Sequence, residues 1–235
     1  MSFYKTFNKL CKVHDNTVVF RDWLDYGIDQ FLINPDLKYF QYDKYNENEY
    51  KLFFELFETW IKNMETRIKE GYKWFDFIGY FYEETVKSSS KASNMGQFFT
   101  PPDVCDLMTK LTVKPLKNNG AGEKMYDCAG GSGRLCLSFH SQYPKALCFS
   151  HDLDEFSCKM AVLNFLIHGI KGSVCQYNSL TGEFYNGWKI NEFPLSIMEI
   201  NNIRESMIFI GEKTRNTIKL SCPKHSGQTS LGDYI

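Results

Sequence analysis

From Lys51 to Ile68 the chain reads KLFFELFETWIKNMETRI, and its apolar positions Phe53, Phe57, Trp60, Met64 and Ile68 recur at steps of three and four. That spacing predicts one buried stripe of an amphipathic helix. A shorter stripe through Trp23, Tyr26 and Phe31 ends at Asn34-Pro35-Asp36, because the residue before a proline is pushed out of helical conformation. A third helix is expected in WFDFIGYFYEETV, residues 74–86, with so many rings that it packs on the other two or on the region that follows. Such rings can also form a platform for stacking bases, but helical spacing favours a core. Residues 1–87 are therefore expected to be a helical region. The small polar stretch KSSSKASN places a linker at residues 88–95.

From Gly96 onward the period changes. TPPDVCDLMTKL is a helix start, with Thr100 as the expected cap, prolines in the first turn and Asp103 three residues further on. KMYDCAGGSG then reads as a strand running into a glycine turn, and RLCLSFHSQ as the helix it opens. ALCFSHDLD is a second strand, followed by the helix EFSCKMAVLNFLIHG, stopped by Gly169. GSVCQYNSL and FPLSIMEI supply a third and fourth strand, and SMIFIGE a further one. Strands alternating with helices predict an α/β domain over residues 96–235, with a doubly wound, mainly parallel sheet.

Composition narrows the setting. Hydrophobic residues make up 43% and charged residues 23%, as in a soluble globular protein. With 27 basic against 28 acidic side chains there is no positive stripe to displace counterions from a duplex, so DNA binding must rest on other features or on a partner. The eight cysteines form no CxxC pair and no Cys/His zinc spacing, and no metal site is predicted. The N-terminus lacks an apolar leader and no 18-residue apolar span occurs, so we expect a cytoplasmic protein, off the membrane, with reduced and mostly buried thiols.

The chemistry centres on DCAGGSGRLC, Asp127 to Cys136. In doubly wound folds a ligand sits over the first strand-to-helix turn. Gly130, Gly131 and Gly133 would let a ligand approach the backbone, and the helix start would offer amides to it. Two nucleoside cofactors suit such a turn, and Asp152, 19 residues beyond Gly133, could take the ribose of either. A dinucleotide needs a third glycine where Cys136 stands, and has no use for an acid before the glycines. S-adenosylmethionine carries a positive amino group, for which Asp127 at the end of the first strand would be the partner. Both acids also have a plain reading as turn residues bonded to local amides.

GQFFTPPDVCDLM, YDCAGGSGRL, HDLDEFSCKMAVLNFLIHGI and NSL, in that order from about Gly96 to Leu180, resemble the N6-adenine DNA methyltransferases, in particular the modification subunits of type I restriction systems. The resemblance implies a Rossmann-like methyltransferase fold using S-adenosylmethionine. It implies that Thr100 and Pro101, with Phe98 and Phe99, contact the methionine end. Asp127, Gly130, Gly131 and Gly133 would form the first-strand motif, Asp152 would hold the ribose, and Asn178 would stand near the adenine ring where relatives carry an aspartate. Asn164 and His168, in NFLIHG, would be structural. The implied partners are DNA and a second methyltransferase or specificity subunit.

The sequence departs from that family at one point. Relatives hold the target amine with Asn, Asp or Ser, two prolines and an aromatic ring after the fourth strand, on a base flipped from the duplex. Here the slot after FPLSIMEI holds NNIR, in which Asn201 is the only candidate for a catalytic amide. With 34 residues after Asn201, the sheet is expected to be incomplete at its C-terminal side. These features predict a cofactor-binding member of the lineage that lacks catalysis and acts as a partner or regulatory subunit, or is a decaying remnant. The alternatives are an adenine-N6 DNA methyltransferase completed by another chain, and a nucleotide-dependent oxidoreductase.

Overall fold

A computed structural model describes residues 2–87, 99–206 and 217–219. The first part is helical: α1 (Phe3–Leu10), α2 (Asn16–Asp29), α3 (Glu47–Lys69) and α4 (Phe77–Phe81), the last running into a π-helical turn at Tyr82–Lys87. Helix starts have local causes. The Asp15 carboxylate accepts from the amides of Thr17 and Val18, and Asn46 and Glu49 form a reciprocal capping box. α2 stops at Asp29, before the expected Asn-Pro-Asp signal, and leaves Phe31 outside. The Asp29 carboxylate instead accepts from the amides of Tyr39 and Phe40, folding the following segment back. In α3, Phe53, Trp60 and Met64 are buried as the stripe predicts, while Ile68 in its last turn is exposed.

The rest is α5 (Pro102–Thr112), β1 (Lys124–Asp127), α6 (Arg134–Gln142), β2 (Leu147–Asp152), α7 (Glu155–Ile167), β3 (Gly172–Asn178), β4 (Glu183–Ile190), β5 (Ile197–Ile200) and β6 (Thr217–Lys219). The strands form one sheet in the order β5-β4-β3-β2-β1-β6. β6, β1, β2 and β3 run parallel, and β4 and β5 return as antiparallel neighbours. In-register pairing puts Met125, Cys148 and Val174 on one face, and it is this face that the crossover helices α6 and α7 cover. The chain is thus a mixed α/β protein with a mostly parallel sheet. Among the described residues no helix is long and apolar enough to cross a membrane.

Three expectations need correction. The helix α5 begins at Pro102 with Pro101 as its cap residue, and Thr100 makes no capping hydrogen bond. The proline pair already fixes the first turn, whose missing N–H would have been unbonded anyway. A strand not foreseen, β4, lies between the expected third and fourth. Its Gly187 looks like a turn residue in sequence, but a Cβ there would stand 2.9 Å from Ile200 and 3.0 Å from the Cys175 sulfur. The glycine is what lets β4 fit between its neighbours. FPLSIMEI, ending in β5, therefore pairs antiparallel with β4 at the sheet edge. The expected strand SMIFIGE and linker 88–95 lie, but for Ser206, outside the described residues.

One hydrophobic cluster runs through both parts, from Phe3 and Trp23 to Met125, Leu163 and Ile197. Phe20 of α2 stacks 6.2 Å from Phe156 of α7, and the buried Lys159 ammonium bonds Asp25 at 2.7 Å and Glu155 at 2.6 Å. Five of the seven described cysteines, at 105, 136, 148, 158 and 175, are buried as small apolar residues.

Candidate functional site

The glycine turn follows β1 and is held from within. Ala129 N–H donates to Asp127 at 3.1 Å, Gly130 N–H to the His151 carbonyl at 2.9 Å, Gly131 N–H to the Asp152 carboxylate at 2.8 Å and Gly133 N–H to the Gly130 carbonyl at 2.8 Å. Four loop amides are thereby engaged within the protein. Gly131 and Gly133 have φ of 54° and 90°, and a Cβ on Gly131 would press within 2.9 Å of the Phe99 ring. Phe99 and Thr100 form a roof and the glycine turn a floor.

Between them lies a cleft of about 180 Å³, lined by Phe99, Thr100, Met108, Asp127, Gly130 and Gly131 among others. This is below the roughly 300 Å³ of a small ligand pocket. A larger cleft of about 390 Å³ lies between Tyr72–Trp74 and α5, but it takes no residue from a strand end. The sequence-predicted residues Phe99, Thr100, Asp127, Gly130 and Gly131 thus come together. Pro101 caps α5 and Gly133 caps α6 beside the cleft. Asp152 reaches the floor through Gly131, and its other oxygen accepts from Asp154 N–H at 2.9 Å.

Asn178 stands apart: its side chain accepts from the amides of Leu180 and Thr181 in the turn joining β3 to β4. Asn201 follows β5, four strands from β1, about 19 Å at the usual strand spacing. It lines a separate cavity with Leu32, Ile33 and Leu37. The geometry therefore does not bring Asn201 to the glycine turn, because the unforeseen β4 carries β5 to the opposite edge. Phe98 lies outside the described residues.

The cleft is lined by one acid, Asp127, and one cation, Arg134. Burial, with help from Asp152, raises the Asp127 carboxyl above its ordinary range, offset in part by the Ala129 amide. A cation placed there would relieve both effects. The nearest cation is already committed. Buried Arg134 donates from Nε to Asp76 at 2.7 Å and from Nη2 to Glu83 at 2.8 Å, and stacks on Tyr80 and Phe99. Burial opposes its charge, but these carboxylates outweigh that and raise its pKa.

Asp76 is the hub beneath the floor, and it escaped the sequence reading. Fully buried, it accepts from Gly79 N–H, Ser132 Oγ, Arg134 Nε and Asn164 Nδ2 at 2.6–2.8 Å. Asn164 also donates to the Ser132 carbonyl at 2.9 Å, and the His168 ring bridges the Asn164 carbonyl and the Phe75 amide. Asn164 and His168 are thus both tied into the network beneath the turn. The one sequence hint to Asp76 was an acid set among the rings of WFDFIG.

Fold and site define an α/β protein with an inward-bonded glycine turn and an acid at the end of its first strand. The family model described as N-6 DNA Methylase matches residues 73–193, about half of the chain, so the chain belongs to that family. The match begins within the helical region and takes in Asp76 and Glu83, both upstream of the motifs read from sequence. No curated protein matches. Among solved structures, the chain is similar to the type I restriction-modification system methyltransferase subunit from Streptococcus thermophilus, at 28% identity and a TM-score of 0.31, over 40% of this chain and 20% of that one. The chain thus matches about a fifth of that subunit's length. Nothing in these matches supports the oxidoreductase alternative.

Proposed function

We propose that the chain binds S-adenosylmethionine in a Rossmann-like site, as a restriction-modification member of its family, and that transfer of the methyl group to adenine N6 in DNA requires a second chain. One observation carries the reading. The cleft presents the half-buried acid Asp127, its carboxyl raised by desolvation, while four amides of its glycine turn are bonded internally, which favours an ammonium group over a phosphate. Asp127 would take the methionine ammonium, with Phe99, Thr100 and Pro101 around the methionine end. Gly130, Gly131 and Gly133 would let the cofactor lie against the turn, and the remaining lone pairs of Asp152 would accept from the ribose hydroxyls. Asn178, bonded within its own turn, is left at most an edge contact with the adenine ring.

When bound, S-adenosylmethionine supplies an electrophilic methyl group. The sequence has no Pro-Pro-aromatic run to hold the acceptor amine, and Asn201 is at the wrong edge of the sheet. DNA, and a methyltransferase or specificity subunit that completes the acceptor site, are the partners this reading calls for.

Calorimetric titration tests it. The chain should bind S-adenosylmethionine, Asp127→Asn should weaken that binding about a hundredfold, roughly the worth of a buried charge-assisted bond, and NAD should not bind. Binding of NAD in preference would overturn the cofactor. Transfer of labelled methyl to unmethylated DNA by this chain alone would overturn the need for a partner.

A further inference from the structure

Glu83 lies in the π-helical turn after α4, a single helical turn outside the sheet, and its side chain keeps 25% exposure. It bonds both halves of the cleft. One carboxylate oxygen accepts from the Phe99 amide at 3.1 Å, in the roof, and the other from Arg134 Nη2 at 2.8 Å, under the floor. Arg134 Nη1 in turn reaches the Thr100 carbonyl at 3.4 Å. The Phe99 ring sits 5.2 Å from the Arg134 guanidinium and 6.0 Å from Tyr82, the residue before Glu83.

The two ends of this bridge differ in what else holds them. Arg134 remains fixed by Asp76 and by Tyr80 if Glu83 is removed. Among the described residues, the Phe99 amide has Glu83 as its hydrogen-bond partner, and the Phe99 ring is held by contacts with Tyr82, Gly131 and Arg134. Loss of the carboxylate therefore loosens the roof and leaves the floor in place.

We propose that Glu83 is a positioning residue for cofactor binding, which touches no cofactor atom and sets the height of the Phe99–Thr100 roof over the glycine turn. The inference rests on the S-adenosylmethionine reading above, in which the roof meets the methionine end and Asp152 the ribose. Its signature is selectivity. Weakening the roof costs affinity for the amino-acid half of the cofactor and spares the nucleoside half.

The test compares wild type, Glu83→Gln and Glu83→Ala in the full chain. Titrations with S-adenosylmethionine and with 5′-methylthioadenosine, which lacks the amino-acid part, are set beside the unfolding midpoint without ligand. Glu83→Ala should bind S-adenosylmethionine about tenfold more weakly and methylthioadenosine within about twofold of wild type. Glu83→Gln, which keeps one acceptor for the Phe99 amide, should fall between, and the midpoints should stay close. Unchanged S-adenosylmethionine affinity in Glu83→Ala overturns the inference and leaves the cofactor reading intact. Equal losses for both ligands with a lowered midpoint also overturn it, since Glu83 would then be structural. Failure of the wild type to bind either ligand removes the cofactor reading itself, and the inference with it.

Discussion

In the helical region the interior is ring on ring: Phe3 meets Trp23 edge-on at 5.1 Å, and Trp23 meets Trp60 at 5.9 Å. The α/β region instead buries Met125, Cys148, Ala161 and Val174, and holds its functional loop by hydrogen bonds. Both indole N–H groups, of Trp23 and Trp60, are buried without a partner, so apolar area outweighs two unmet donors there. Around the glycine turn hydrogen bonds do more of the holding: at the Asp76 hub both carboxylate oxygens are used, although Ser150 Oγ, His151 Nε2 and Asn164 Oδ1 are also buried without a partner. The rings supply apolar burial, and the polar seam between the regions places the loop.

Substitutions can break that contrast. The largest loss is expected for Asp76→Ala, about 4 kcal/mol in urea unfolding, because it leaves the buried Arg134 guanidinium with Glu83 alone as carboxylate partner and takes the acceptor from three other donors. A loss under about 1 kcal/mol would place it with ordinary surface changes and dissolve the idea of a polar seam. Trp60→Ala should cost about 3–4 kcal/mol through the cavity it leaves, yet change S-adenosylmethionine affinity by less than about twofold in conditions where the variant is folded. A large affinity change would mean that the ring core also positions the loop.

Acidification sharpens the comparison from the seam side. Burial lowers the His168 pKa to about 4, so the folded state holds it neutral while the unfolded chain protonates near pH 6.5. Its contribution is present above about pH 6.5 and is lost as pH falls toward 4. Between pH 7 and 4.5 the wild type should therefore lose about 2 kcal/mol more than His168→Gln in urea unfolding. Parallel pH profiles would refute the buried neutral imidazole. The smallest effect is expected at a helix start: Asn46→Ala removes the α3 capping box and should cost about 1 kcal/mol, with no change in ligand affinity.

What could be read from the sequence was what neighbours along the chain decide. The Phe53–Trp60–Met64 stripe, the strand–glycine–helix run from Lys124 to Gln142 and the alternation through β3 are local signals, and Asp127 follows from them. The site's support was not legible, because Asp76 and Glu83 meet Arg134 across 58 and 51 residues, and no periodicity separates such acids from solvated ones. One strand, β4, was missed for the same reason. Asn186 and Gly187 mimic a turn, yet Gly187 pairs across the ladder with Cys175 of β3 and Ile200 of β5. With β4 in place, β5 and Asn201 after it stand at the edge of the sheet far from β1.

The outer edge of β5 is closed by Phe31–Ile33: Ile197 N–H donates to the Phe31 carbonyl at 2.9 Å and Ile33 N–H to the Ile197 carbonyl at 3.1 Å. The two partners are made far apart in time. At about 5–20 residues per second, roughly 10–30 s of synthesis separate them, and until the second emerges the first has no strand to bond. The helical region therefore leaves the ribosome with its last link unmade. Its final closure is set by the clock of translation, and a nascent chain released before residue 197 would carry that open segment as a site for wrong pairing.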